Sequence, residues 1–298
     1  MTQVTLLDGA VGQELVKRSP DPATPLWSTQ VMMDDPDAVE QVHATYFRAG
    51  ATVATTNSYA LHRNRLERVG MADRLPALID IAVARAGAAR DAHGAGRIAG
   101  ALGPLLASYR PDLQPDVEEA RRQYGALMRR MQPGVDLFLH ETVCSLQEAE
   151  GALLGTQEAE KPVWIAFSVE DEDGTRLRSG ESLAQVAPLI RRFEPAAVLI
   201  NCSRPEVIAP ALEVIKTLGT PFGAYANGFT GISDAFKRDA PTVDVLEQRQ
   251  DLDPVTYAAH AMGWVDQGAT IVGGCCEVGP DHIRELAQQL RAAGHDIV

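Results

Sequence analysis

No apolar run in these 298 residues approaches membrane-spanning length, so no transmembrane helix is expected. There is no basic excess either. Asp and Glu number 40 against 27 Lys and Arg, and the formal charge of −13 argues against nucleic acid or an anionic membrane surface as partner, since either would need a basic patch. No hydrophobic leader opens the chain, which begins Met1-Thr-Gln-Val, and a cytoplasmic location is expected. No segment has the ligand spacing of a calcium loop: the acidic Ser168-Val-Glu-Asp-Glu-Asp-Gly174 reads as a solvated turn. Cysteine is scarce, with four in the chain. In a reducing compartment, grouped cysteines read as ligands or catalysts before they read as disulfides.

Grouped they are. In Ala269-Thr-Ile-Val-Gly-Gly-Cys-Cys-Glu277 a short apolar run stops at two glycines and an adjacent pair of cysteines. Ala269 to Val272 reads as a buried strand, and Gly273-Gly274 as a tight turn that carries both thiols past its end. Ala196-Ala-Val-Leu-Ile-Asn-Cys-Ser203 likewise delivers Cys202 at the end of an apolar run, before a helix start led by Pro205. A lone Cys202 would read as packing. Three thiols at strand ends can converge, and a three-cysteine set leaves a tetrahedral zinc ion one open position, the layout of a catalytic site.

Eight apolar runs alternate with helical patterns: Val4 to Leu7, Ala51 to Thr56, Arg97 to Leu102, Leu137 to His140, Val163 to Val169, Ala196 to Ile200, Phe222 to Ala226 and Ala269 to Val272. That rhythm predicts an α/β fold, a (β/α)₈ TIM barrel forming a single domain over 1–298, with long βα loops at the carboxyl-end face where the active site belongs. A doubly wound open sheet is the alternative. Hydrophobic residues, at 45%, suffice for its core.

Polar or special residues close these runs. In Asp8-Gly-Ala-Val-Gly-Gln-Glu14, Gly9 and Gly12 permit close approach of backbone to a ligand, while Asp8 and Glu14 can receive an ammonium group. The proline-rich Ser19 to Pro25 reads as a loop over the mouth, and Trp27 beside it offers a surface for packing or substrate. The next helix is expected to be capped at Asp34-Asp35-Pro36 or Asp37, with Val39, Val42, Tyr46 and Phe47 facing inward. Thr55-Thr-Asn-Ser-Tyr59, with Thr56 and Asn57 at its centre, suits a substrate carboxylate, a metal ligand's orientation or an ordinary helix cap. His62-Arg-Asn-Arg-Leu-Glu-Arg68 reads as a solvated face without chemistry. Leu105 to Asp116, containing Tyr109, is a second candidate lid. In Leu137-Phe-Leu-His-Glu-Thr142, His140 and Glu141 face opposite ways if the strand persists, and one enters the mouth. Cys144 reads as packing, His140 as packing ahead of the alternative that it completes the zinc site, and Thr230 to Leu252 as a long excursion.

The motifs Asp8-Gly-Ala-Val-Gly-Gln-Glu14, Thr55-Thr-Asn-Ser-Tyr59, Asn201-Cys202-Ser203 and Gly273-Gly-Cys-Cys276 together resemble the homocysteine S-methyltransferase family, over nearly the whole chain. The resemblance implies Zn²⁺ held by Cys202, Cys275 and Cys276, with homocysteine bound to the metal as thiolate and no protein general base. It implies that Glu141 holds the amino group of homocysteine and that Asn227 contacts substrate, while Asn201 is a candidate to fill the metal's fourth position beforehand. A thiolate attacking a methyl group needs an activated onium donor, for which Trp27, Tyr59, Tyr109 and Phe229 are candidate cation–π contacts set against ordinary packing. By resemblance the donor is S-methylmethionine or S-adenosylmethionine, with glycine betaine and dimethylsulfoniopropionate as rivals. A methyl-acceptor subunit serving a separate corrinoid protein and a non-catalytic zinc-binding barrel are the other readings. The expected partners are small molecules, and a homo-oligomer is compatible with all of this.

Overall fold

Most strands of this protein are short and apolar on both faces, as expected where helices cover a parallel sheet on one side and the sheet covers itself on the other. In the computed structural model, residues 2–20, 24, 26–233 and 246–298 are described. The middle of the proline-rich loop and 234–245 of the long excursion lie outside the described residues. The strands are β1 (Gln3–Leu6), β2 (Val53–Thr55), β3 (Arg97–Leu102), β4 (Leu137–Val143), β5 (Val163–Phe167), β6 (Ala197–Asn201), β7 (Phe222–Tyr225), β8 (Ile271–Val272) and β9 (Asp296–Ile297). Helices α1 (Val11–Arg18), α2 (Ser28–Asp34) and α3 (Pro36–Ala49) lie between β1 and β2, and α4 (Arg63–Glu67) and α5 (Leu75–His93) between β2 and β3. Then come α6 (Val117–Met131), α7 (Leu146–Gly155), α8 (Ala187–Phe193), α9 (Pro205–Lys216), α10 (Pro254–Asp266) and α11 (Pro280–Ala292), each before the next strand in turn.

All the strand pairs are parallel, in the order β2-β3-β4-β5-β6-β7-β8-β1-β9. The sheet curls until its ends meet, where Leu7 bridges Val53 and the Asp8 amide donates to the Val53 carbonyl at 3.0 Å. This order agrees with the expected (β/α)₈ barrel. β9 is an addition: β2 has only three residues, and Asp296–Ile297 pairs with Gln3 and Val4 where β2 does not reach.

The pleat sorts the core into two layers. On β6, Ala197 and Leu199 point inward to join Leu139, Trp164, Ala166 and Ile271, while Val198 and Ile200 face the surrounding helices. α3 shows how a helix is set on that outer face. The Asp35 carboxylate caps the amides of Asp37 and Ala38, Pro36 fits the first turn, and Val39, Val42, Tyr46 and Phe47 are all buried. No described helix is long and apolar enough to cross a membrane.

Candidate active site

Three of the four cysteines meet at the carboxyl ends of β6 and β8. The Sγ atoms of Cys202, Cys275 and Cys276 all lie within 4.8 Å of one another. Cys202 takes up a left-handed backbone, φ 46°, directly after β6, a conformation uncommon for any residue with a Cβ. The glycines before Cys275 work differently from the tight turn expected of them. Gly273 and Gly274 are not left-handed. A Cβ on Gly274 would collide with Val278 and one on Gly273 with Leu7, so what they permit is close packing of the cysteine loop on β1. Cys202 and Cys275 are paired as a disulfide, their Cα atoms 5.7 Å apart, and Cys276 is a free thiol. The expectation of reduced thiols is corrected to that extent, for sulfurs held this close can be joined by oxidation as well as by a shared ion.

The cysteine loops are tied down by long-range contacts. Arg178 donates to Ser168 Oγ (2.7 Å), Asp171 Oδ1 (2.8 Å) and the Cys202 carbonyl (3.2 Å), and its guanidinium lies 4.7 Å over the Tyr109 ring. The acidic loop after β5 is therefore more than a solvated turn, because Asp171 anchors Arg178 and also accepts from the Ile232 amide at 2.9 Å. On the other side, Gln13 of α1 accepts from the Glu277 amide at 2.6 Å and donates back to the Glu277 carboxylate, which Lys17 meets at 2.9 Å.

Two carboxyl groups share the pocket. Asp8 is buried and accepts from the Thr55 amide (2.7 Å) and hydroxyl (3.0 Å). Burial raises its pKa well above the usual carboxylate range, and the charge of Glu141 adds to this against the Thr55 bonds. Glu141 continues the inward face of β4 set by Leu137 and Leu139; around it the pairing with β5 shifts between His140 and Val143, and Thr142 has φ 60°. Burial pushes Glu141 up to about 7 against one bond from the Tyr225 hydroxyl (3.0 Å). Alternation turns His140 outward with Phe138, and its Nε2 meets Thr156 Oγ1 at 3.0 Å, as the packing reading expected. Asn201 is fully occupied beside it, accepting from the Thr142 amide (3.0 Å) and donating to its hydroxyl (3.2 Å).

A sequence model of the homocysteine S-methyltransferase family matches residues 5–290. The chain belongs to that family. Its relatives include the homocysteine S-methyltransferase YbgG of Bacillus subtilis, 28% identical over 96% of this chain and 94% of that one. The homocysteine S-methyltransferase of Escherichia coli is 29% identical over 95% and 94%. A selenocysteine Se-methyltransferase of Brassica oleracea is 26% identical over 96% and 88%. These relatives are methyltransferases. Among solved structures, the homocysteine methyltransferase MmuM of Escherichia coli superposes with a TM-score of 0.80 in its metallated form and 0.81 in its oxidized form. Each is 27% identical and covers 96% of both chains.

With the family in place, the donor set can be tested against a metal. Burial, with the negative charges of Glu277 and Glu141, pushes the Cys276 thiol up to about 12. A buried thiol so placed is neutral unless a cation lies beside it, and three convergent sulfurs are the donors a borderline-soft ion takes. The residues fit.

The other expected residues divide. Asp8, Gly9, Thr56, Asn57, Glu141, Asn201, Trp27, Tyr59 and Tyr109 line one pocket with the three cysteines. Glu14 does not line that pocket; its side chain, 16% exposed, meets Arg18 at 3.6 Å. Asn227 is also outside the lining, buried, with its side chain accepting from the Phe229 amide at 3.3 Å. Gly9 and Gly12 make room for protein and not only for ligand, since a Cβ would strike Val278 at the first and the Trp27 ring at the second. The hydroxyls after β2 are spent internally: Thr55 on Asp8, and Thr56 and Ser58 on each other and the Ala101 backbone. Asn57 donates to the Ser28 carbonyl at 3.3 Å. Tyr59 shares a 2.7 Å hydrogen bond with Ser108.

Several residues gain their roles only from the fold, although Tyr225 and Gln13 lie in segments that the sequence singles out. Arg178, Tyr225 and Gln13 act through partners far away in the chain. Arg65 lines the pocket although its segment reads as a solvated face. His62 in the same segment is buried, and burial lowers it to about 3, so it stays neutral.

Proposed function

We propose that the chain, one (β/α)₈ barrel domain over 1–298, transfers a methyl group from a small onium donor to the sulfur of L-homocysteine, giving methionine. The observation that carries this reading is the convergence of the Cys202, Cys275 and Cys276 sulfurs within 4.8 Å, on a pocket that also holds Asp8 and Glu141. Zn²⁺ is the ion proposed for the three cysteines; when bound, it would lower the pKa of a coordinated thiol so that a sulfur nucleophile exists at neutral pH.

The rest of the site sorts the remaining groups of homocysteine. Two carboxyl groups buried together cannot both ionise cheaply, and an ammonium group between them relieves the conflict. Glu141, oriented by the Tyr225 hydroxyl, takes the amino group with Asp8 behind it. The substrate carboxylate falls to the first turn of α1, where Val11, Gly12 and Gln13 line the pocket and the leading N–H groups of a helix lack intrahelical partners. In the transfer itself, the sulfur lone pair attacks the methyl carbon in line, and the bond from that carbon to the onium atom breaks. The bonding pair returns to the donor, which leaves neutral, and the thiol proton passes to solvent. Trp27, Tyr59 and Tyr109 line the pocket as aromatic walls for the onium group, although Arg178 already lies over the Tyr109 ring.

The test is metal analysis and turnover on the same preparations. Reduced protein should hold about one zinc per chain and form methionine, read by mass spectrometry, from homocysteine with S-methylmethionine, S-adenosylmethionine, glycine betaine or dimethylsulfoniopropionate. Cys202→Ser, Cys275→Ser and Cys276→Ser should each lose both zinc and turnover. Full zinc in all three variants, or turnover only with an added methylcorrinoid protein, would overturn the reading.

A further inference from the structure

We infer that Arg65 is the receptor for a carboxylate on the methyl donor, so that the pocket selects onium acids over onium compounds without an acidic group. The inference rests on the acceptor assignment above and extends it to the second substrate. Arg65 lies on α4, half-buried, and it supplies the sole cationic side chain among the described residues that line the pocket. Its neighbour Arg63 is exposed and pairs with Glu67 at 2.6 Å, whereas Arg65 has no ion pair among the described residues. Desolvating a guanidinium without a partner is unfavourable, and burial draws its pKa below the ordinary arginine value. A charge kept in that setting beside a ligand pocket calls for an anion from outside the chain.

Homocysteine leaves nothing for Arg65 to bind. Its thiol goes to the cysteines, its ammonium to Glu141 and its carboxylate to the first turn of α1. The anion that remains belongs to the donor. A planar guanidinium matches a carboxylate with two parallel hydrogen bonds. The charges also fix a direction. The carboxyl groups of Asp8 and Glu141 lie in the pocket with the cysteines and attract the onium end, while Arg65 draws the carboxylate, so the methyl group faces the acceptor sulfur.

The experiment uses the zinc-loaded full chain, with Arg65→Gln and Arg65→Lys compared by kinetics and calorimetric titration. S-methylmethionine and its carboxamide are the paired probes. Dimethylsulfoniopropionate and glycine betaine are titrated as further onium acids. Arg65→Gln should raise KM or Kd for the onium acids by about 10- to 100-fold, the range expected for losing a charge-assisted pair. Homocysteine binding, thermal stability and the affinity for the carboxamide should stay within about twofold of the parent, and Arg65→Lys should recover part of the loss. Arg65-dependent binding of an onium acid without methionine formation would uphold the receptor while sinking the proposed reaction. Equal losses for acid and carboxamide, weakened homocysteine binding, or no Arg65 dependence with any onium acid would overturn the inference.

Discussion

Leu199 and Cys202 stand three positions apart on one strand and its end, yet they obey different rules. Leu199 follows the pleat into the interior of the curled sheet, fully buried among other apolar side chains. Cys202 has left the pleat for a left-handed backbone, and its carbonyl is held by a serine and an arginine from the preceding loop. β4 repeats the contrast, with Leu139 in the same apolar layer and Glu141 and Thr142 on a bulge. The left-handed backbone of Cys202 and Thr142 and the paired burial of Asp8 and Glu141 lie at the mouth, where binding can relieve them. One strand step below, the packing carries neither.

The sharpest way to break this division is to cut into the lower layer. Leu199→Ala should cost about 2–5 kcal/mol of stability through the cavity it leaves, read by denaturant titration. Zinc content and KM per folded chain should hardly move; a parallel loss of zinc would show that the two layers are one unit. Next in size is Glu141→Gln at the mouth. It should raise KM for homocysteine by about 10- to 100-fold, the effect of losing a charged hydrogen bond, with little change in Tm. Substrate capture requires the carboxylate, so kcat/KM of the parent should rise as pH passes through about 7.

The same group gives the mouth a pH signature in stability. Its folded pKa is raised, so its contribution is complete below the ordinary carboxylate value of 4.5 and is lost as pH rises through about 7. Metal-free protein should become less stable across that window, and Glu141→Gln should flatten part of the slope. Asp8 and Glu148, also raised by burial, supply the remainder. A slope of the opposite sign, or one that Glu141→Gln leaves untouched, would remove Glu141 from this account. The smallest effect should come from Glu14→Gln. Its ion pair with Arg18 is peripheral and worth at most about 1 kcal/mol, and homocysteine KM should not change.

The sequence was most legible where one strand's own residues decide the outcome. Arg97–Leu102 forms a strand over the expected span, and the cysteines meet where their apolar runs end. It was least legible where the decision lies elsewhere. β9 has only two residues, too few for a periodic signal, and exists because β2 stops short. Alternation requires that His140 and Glu141 diverge, but which one enters depends on which face of β4 the sheet turns inward, and that is the face of Leu137 and Leu139. Thr56 and Asn57 sit at the pocket, yet their polar groups are engaged by Ser58, Ala101 and Ser28, neighbours that only the folded chain supplies. Arg65 belongs to a helix of five residues, too short to show which of its faces turns inward.

The meeting of the sheet's two ends also orders events in time. Thr5 pairs with Ile271 and Leu6 with Val272, so the first strand made on the ribosome has neither of its paired neighbours, β8 and β9, until the eighth is made. Pairings so distant in sequence form late, because the intervening chain has to be ordered first. Cys275 and Cys276 follow Val272 directly, and the turn before them rests on Leu7 and Asp8. Cys202 can therefore be in place on a nascent chain well before its partners arrive, and the three-sulfur set is completed only as the circle of strands closes. The uptake of a metal ion by this protein would mark the end of its folding, and a chain stalled short of the eighth strand would have no such site to fill.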